Sequence, residues 1–156
     1  MSHIESILIV HQPLEEVFAF LNTHESHLKF IPRMTELNQT SPGVFGQVGT
    51  TLSGMLNYFG VPIPVHYEII DFERNQRLGM QGQMGPVRFK DGYTLKQNEK
   101  GTEIKFWLDL MPTGWAKVFT PFMGFIGKIH AWETLRNLKR EIAKKIPTPG
   151  RTLSSR

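Results

Sequence analysis

The sequence predicts an α+β domain in which a curved antiparallel sheet of about seven strands wraps around one long C-terminal helix, with two short helices after the first strand. Three observations predict it. Turn clusters cut the middle of the chain into strand-length runs, one of those runs alternates apolar and polar residues, and the last third carries sustained helical periodicity. A sheet with one apolar face must bury that face, and only the long helix is large enough to cover it.

The elements follow in order. His3 to Gln12 is rich in Ile, Leu and Val and reads as the first strand. Pro13 suits the first turn of a helix, where its missing N–H costs nothing. Leu14, Val17, Phe18 and Leu21 then form one apolar helical face. A second short helix covers His24 to Ile31 and is stopped by Pro32. From Met34 to Met111 the chain reads as a meander, with turns at Ser41-Pro42-Gly43, Gly60-Val61-Pro62, Arg74-Asn75-Gln76, Met84-Gly85-Pro86 and Asn98-Glu99-Lys100-Gly101. Short connections make successive strands antiparallel. The clearest alternation runs from Glu103 to Leu110: Ile104, Phe106, Leu108 and Leu110 share the inner face, and Glu103, Lys105 and Asp109 the outer.

The last helix is expected from Pro121 to about Ile146, with Thr120 as its N-cap and Pro121 in its first turn. Phe122, Ile126, Ile129, Leu135, Leu138, Ile142 and Ile146 supply its apolar stripe. At ~1.5 Å per residue it would be roughly 39 Å long. Residues 1–146 then form one ligand-binding domain, and 147–156, opened by Pro147-Thr148-Pro149-Gly150, a flexible tail.

Composition narrows the function. With no cysteine, a disulfide scaffold, a thiol nucleophile and a Cys-ligated metal are excluded. The N-terminus lacks the pattern of a secretory signal, and no run is long and apolar enough to span a bilayer, so a soluble cytoplasmic protein is expected. The formal charge is +4, yet the stretch from Lys128 to Arg156 holds eight basic residues against Glu133 and Glu141, leaving −2 for the rest. Cations at a helix C-terminus offset the helix dipole. The same basic end allows weak contact with an anionic membrane, while no nucleic-acid partner is expected.

Several stretches carry a family resemblance: Pro13-Leu14-Glu15-Glu16-Val17-Phe18-Ala19-Phe20-Leu21, Pro42-Gly43-Val44-Phe45-Gly46-Gln47-Val48-Gly49-Thr50 entering the third strand, and Gly101-Thr102-Glu103-Ile104 opening the last strand. Over roughly residues 3 to 146 the chain resembles the helix-grip fold of the START, polyketide-cyclase and birch-pollen-allergen-like (SRPBCC) superfamily, and looks most like its polyketide cyclase/dehydrase branch. The resemblance implies an internal cavity but transfers no catalytic residue.

A twisted sheet bent around one helix cannot pack flush along its length, so a cavity for a small hydrophobic ligand is expected between them. From the sheet its expected lining is Leu52, Leu56, Tyr67, Met80, Phe89, Asp91, Tyr93 and Phe106. From the helix it is Phe122, Met123 and Ile126. Asp91 is the most informative, because it falls on the apolar phase Val87, Phe89, Tyr93, Leu95 while Arg88, Lys90 and Lys96 fall on the other. It reads as a ligand anchor or general base, as half of a buried structural pair, or as turned outward by a bulge at Gly92. His130 and Glu133 are three apart on the long helix, with a surface histidine favoured over a cavity anchor; His24 and His27 read as solvated. Gly124 and Gly127 imply a steric demand, either close sheet approach or room for a ligand.

No metal and no cofactor are expected. The leading reading is a non-catalytic module, monomer or homodimer, that binds a lipid, polyketide or quinone-like molecule. The alternative is a cyclase/aromatase or dehydratase with Asp91 or His130 as base and a tyrosine such as Tyr93 as acid. A wholly apolar cavity favours the first, and an isolated Asp with a raised pKa the second.

Overall fold

The alternating run ending at Leu110 lies in the longest antiparallel pairing of the molecule, and the rest of the sheet extends from it. The computed structural model describes residues 2–147. The strands are β1 (Ser2–Val10), β2 (Met34–Gln39), β3 (Thr51–Tyr58), β4 (Val61–Glu73), β5 (Arg77–Met84), β6 (Val87–Asn98) and β7 (Gly101–Pro112). The helices are α1 (Leu14–Leu21), α2 (His24–Phe30) and α3 (Thr120–Lys145). The sheet order is β1-β7-β6-β5-β4-β3-β2 and every neighbouring pair is antiparallel. All pairings but β1 with β7 join consecutive strands. This is the helix-grip arrangement, with α3 packed on β1 and β7.

On β7, Ile104, Phe106 and Leu108 are buried, while Glu103 and Lys105 are half-exposed. A slip of one residue would reverse all of them, so the alternation specifies the register. Gly92 introduces no bulge: β6 pairs with β5 and β7 without a shift there. A side chain at Gly92 would meet Trp107 Cζ2 at 2.8 Å, and one at Gly79 would meet the same atom at 3.6 Å. The indole thus covers both glycines on the outer face.

Four local expectations change. Val61 and Pro62 open β4, and the turn is Phe59-Gly60 alone. Pro62 and Pro64 are tolerated because β4 runs past the end of β5 there, so their other edge carries no ladder. Pro13 stands one residue before α1, as its extended N-cap. A 3-10 helix over Gly114–Phe119 precedes α3, so Phe119 is the cap and the Thr120 hydroxyl donates to Lys117 O at 2.6 Å.

The fourth correction concerns the apolar stripe of α3. Leu135, Leu138 and Ile142 are buried, but Phe122, Ile126 and Ile129 are 60%, 48% and 40% exposed. The inward residues of the first half are Met123, Gly127 and Ala131. The reason is distance. A Cβ on Gly127 would come within 2.4 Å of Ile4 Cδ1 and 3.2 Å of Leu110 Cδ1, so at that point the helix lies directly on the sheet and leaves no room for a side chain. A Cβ on Gly124 would meet nothing within 4 Å, so the expected steric demand holds at Gly127 and not at Gly124. The expected tail lies outside the described residues from Thr148 onward. Among the described residues no helix is long and apolar enough to cross a membrane.

Candidate functional site

Where the first half of α3 spans the inner face of the sheet, a cavity of about 280 Å³ opens between them. Leu56, Tyr67, Phe89 and Asp91 border it from the sheet, and Met123, Ile126 and His130 from the helix. The alternation of β6 and β7 brings Asp91 and Leu108 here as paired neighbours. Sequence reasoning missed the outer wall, formed by Tyr58, Ile63, Met84, Val87 and Leu110. Leu110 lay on the inward phase of β7, and Ile63 sits opposite Leu56 in the β3–β4 register, so the pairing of those strands would have found both.

The other expected lining residues stand elsewhere. Met80, Tyr93 and Phe106 are buried deeper in the core, where the Tyr93 ring packs edge-on against Phe30 at 6.0 Å and lies 5.2 Å from Phe106. None of the three borders the cavity. Leu52 borders a second hollow of about 630 Å³, whose rim carries the exposed Glu68, Gln81, Arg88 and Lys90. That rim is charged and open, unlike the apolar wall of the smaller cavity. Phe122 points away from the sheet because Met123 and Gly127 take the inward positions.

Asp91 is 8% exposed, and its Oδ1 is enclosed without a hydrogen-bond partner. Burial disfavours the charged carboxylate and pushes its pKa up to about 7. Neither a structural ion pair nor an outward turn accounts for it. Tyr67 and Tyr93 are buried too, and burial, with the neighbouring Asp91 charge, pushes both phenols well above their ordinary value. They stay protonated and act only as neutral donors or acceptors.

His130 is half-buried beside the cavity rather than on the surface, its ring 6.5 Å from Phe106. Burial, helped by the Arg33 charge, lowers its pKa to about 4, so it is neutral at pH 7. Its expected neighbour Glu133 instead accepts from Arg33 at 3.0 Å, and the Arg33 guanidinium lies 5.3 Å from the Tyr58 ring centroid. That trio ties α3 to the β3–β4 hairpin beside the cavity.

His27 also departs from its solvated expectation. It is fully buried among Phe30, Phe45 and Tyr93, and its Nε2 lies 2.8 Å from Leu21 O, which requires a proton on that nitrogen. Burial lowers its pKa to about 4. It belongs to the core and does not reach the cavity. Among the described residues no group of three His, Asp or Glu side chains could hold a metal ion.

At neutral pH the cavity therefore offers apolar walls, a carboxyl poised between its two protonation states, and a neutral imidazole. It can bury an apolar body and hydrogen-bond one polar group, and it holds two groups able to accept a proton.

A family model described as polyketide cyclase / dehydrase and lipid transport matches residues 1–143. No curated protein matches by sequence. Among solved structures, the Zhui aromatase/cyclase from Streptomyces sp. R1128 aligns with a TM-score of 0.77 at 10% identity, covering 92% of this chain and 94% of that one. A START superfamily protein from Mycobacterium smegmatis also aligns at 0.77 and 10% identity, covering 92% and 99%. Ara h 8.0201 aligns at 0.71 and 13% identity, covering 91% and 97%. At these identities the likeness is one of fold.

Proposed function

The chain belongs to the polyketide cyclase/dehydrase and lipid transport family, and from that premise we propose that residues 1–146 form one binding domain holding a small apolar or aromatic molecule with a single oxygenated group. The observation that carries this reading is Asp91, a buried carboxyl without a partner at the wall of an otherwise apolar cavity. Leaving such a group unpaired costs roughly 1–3 kcal/mol or more. A ligand carbonyl or quinone oxygen recovers that cost by accepting from the protonated acid, and a ligand hydroxyl by donating to the carboxylate. Size supports the class. An apolar cavity of ~150 Å³ takes one benzene, so this one suits about two fused rings or a short acyl chain.

Displacement of a fluorescent apolar dye tests the reading. Naphthoquinone and naphthalene should both displace it, and Asp91→Leu should weaken naphthoquinone about tenfold while sparing naphthalene. No dye uptake, or an equal loss for both ligands, would count against it.

A second reading is acid–base catalysis of the cyclase or dehydratase kind, the one that an isolated Asp with a raised pKa favours. It stands second because Tyr93, its expected acid, is packed in the core away from the cavity. Asp91 or neutral His130 would take a proton α to a carbonyl while a neutral donor such as Tyr67 hydrogen-bonds the carbonyl oxygen. Asp91→Asn separates the readings, because a carboxamide still hydrogen-bonds but moves no proton. Turnover of a β-ketone substrate that disappears while its binding persists would establish chemistry.

A further inference from the structure

The 3-10 helix and the first half of α3 turn a run of large apolar side chains away from the sheet. Trp115, Phe122, Phe125 and Trp132 are each between 60% and 69% exposed, with Val118 at 70%. Large aromatic side chains in such a run are unusual on a free surface. They lie on the 3-10 helix and the first half of α3, the same stretch that supplies Met123, Ile126 and His130 to the cavity.

Across the cavity stands the β3–β4 hairpin, which projects past the end of β5. Its inner residues Tyr58 and Ile63 line the cavity, and its two-residue tip is Phe59-Gly60. Phe59 is fully exposed and held at φ 55°, and Gly60 at φ 85°. That geometry suits Asn-Gly, whereas a bulky side chain at positive φ is disfavoured. Gly60 N donates to Asn57 Oδ1 at 2.8 Å and holds the turn, but the fully exposed Phe59 ring itself packs on nothing that would favour an aromatic there.

Charge decides what this rim meets. From Gly114 to Trp132 the chain carries Lys117 and Lys128 and no acidic residue. Arg136 lies 4.6 Å from the Trp132 ring centroid, and the next acid, Glu133, is neutralised by Arg33. A second copy packed symmetrically on this face would set these cations against themselves. Aromatics at the level of the headgroups, with lysines around them, instead match an anionic bilayer surface.

We propose that the rim formed by the 3-10 helix, the first half of α3 and the Phe59 tip docks the cavity mouth onto a membrane bearing anionic lipids, so that an apolar ligand passes between bilayer and cavity without crossing water. This goes beyond the cavity reading and differs from contact through the basic C-terminal end of α3. The protein lies on the membrane; it does not span it.

Co-sedimentation tests the proposal, using phosphatidylcholine vesicles and vesicles of equal parts phosphatidylcholine and phosphatidylglycerol. Binding should favour the anionic vesicles and weaken with added salt. Phe125→Asp should lower it about tenfold or more. Phe59→Asn is the second variant, because it relieves the turn: its Tm should hold or rise while vesicle binding falls. Absence of binding to either vesicle would overturn the proposal, as would a concentration-dependent dimer in sedimentation velocity that Phe125→Asp dissolves. Dye uptake in solution, retained in both variants, reports the cavity separately, so failure here leaves the cavity reading standing.

Discussion

The two ends of α3 cover the same sheet in opposite ways. Under the C-terminal half, Leu135, Leu138 and Ile142 pack into a solid core, with Phe30 and His27 of α2 buried nearby. Under the N-terminal half, Met123, Gly127 and His130 roof a cavity. Each end encloses a polar atom without a partner, Nδ1 of His27 and Oδ1 of Asp91. At the solid end the imidazole is anchored through its other nitrogen to Leu21 O and wedged among aromatic rings. At the hollow end the carboxyl has no such anchor. The difference teaches that an unsatisfied polar group in a packed region serves packing, whereas the same feature beside a void points to a ligand.

The largest expected effect separates the two ends directly. Leu138→Ala removes a fully buried side chain from the solid end and should cost about 2–5 kcal/mol in denaturant unfolding. Leu56→Ala, beside the existing cavity, loses fewer contacts and should cost less than half as much while increasing dye uptake. Equal costs would mean that the cavity end is packed as tightly as the other.

The next largest effect is on pH. Asp91 titrates near 3.8 when unfolded and about 7 when folded, so its folded state holds the proton more tightly. Its contribution to stability is full below pH 4 and is lost as pH rises toward 7. His27 and His130 run the other way: lowered to about 4, they favour folding above pH 6.5 and lose that support as pH falls toward 4. Asp91→Asn should therefore gain on the wild type by roughly 2–4 kcal/mol between pH 4 and pH 7, then level off. A stability difference that does not change with pH would remove Asp91 from its buried, unpaired place.

The smallest effects lie at the two helix glycines. Gly124→Ala meets nothing and should stabilise by up to about 1 kcal/mol through helix propensity. Gly127→Ala must displace Ile4 and should destabilise by a similar amount or more. Thermal melts of the pair test whether α3 is pressed onto the sheet at one glycine and clear of it at the other.

The fold was legible because its signals are local. Turn residues and the alternation from Glu103 to Leu110 depend on near neighbours in the chain, and they specified a meander closed by a helix. Asp91 was legible for the same reason: once the strand is regular, its phase turns it inward. Which face of α3's first half is buried was not legible. Phe122, Ile126 and Ile129 have the spacing of a core stripe, but α3 turns Gly127 and Ala131 inward instead, and its approach to Ile4 and Leu110 leaves no room for a side chain at Gly127. Likewise no local pattern could show that His27 is buried, that Arg33 claims Glu133, or that the void lies beside Leu56 and not beside Met80. The sequence by itself determined the order of elements and the inward phase of β7, and it placed Asp91 on the inward phase of β6 provided that strand is regular, because periodicity is written in consecutive residues. Only the tertiary structure decided where helix and sheet touch and where they part, because that distance is set by side chains far apart in the chain that meet after both elements have formed.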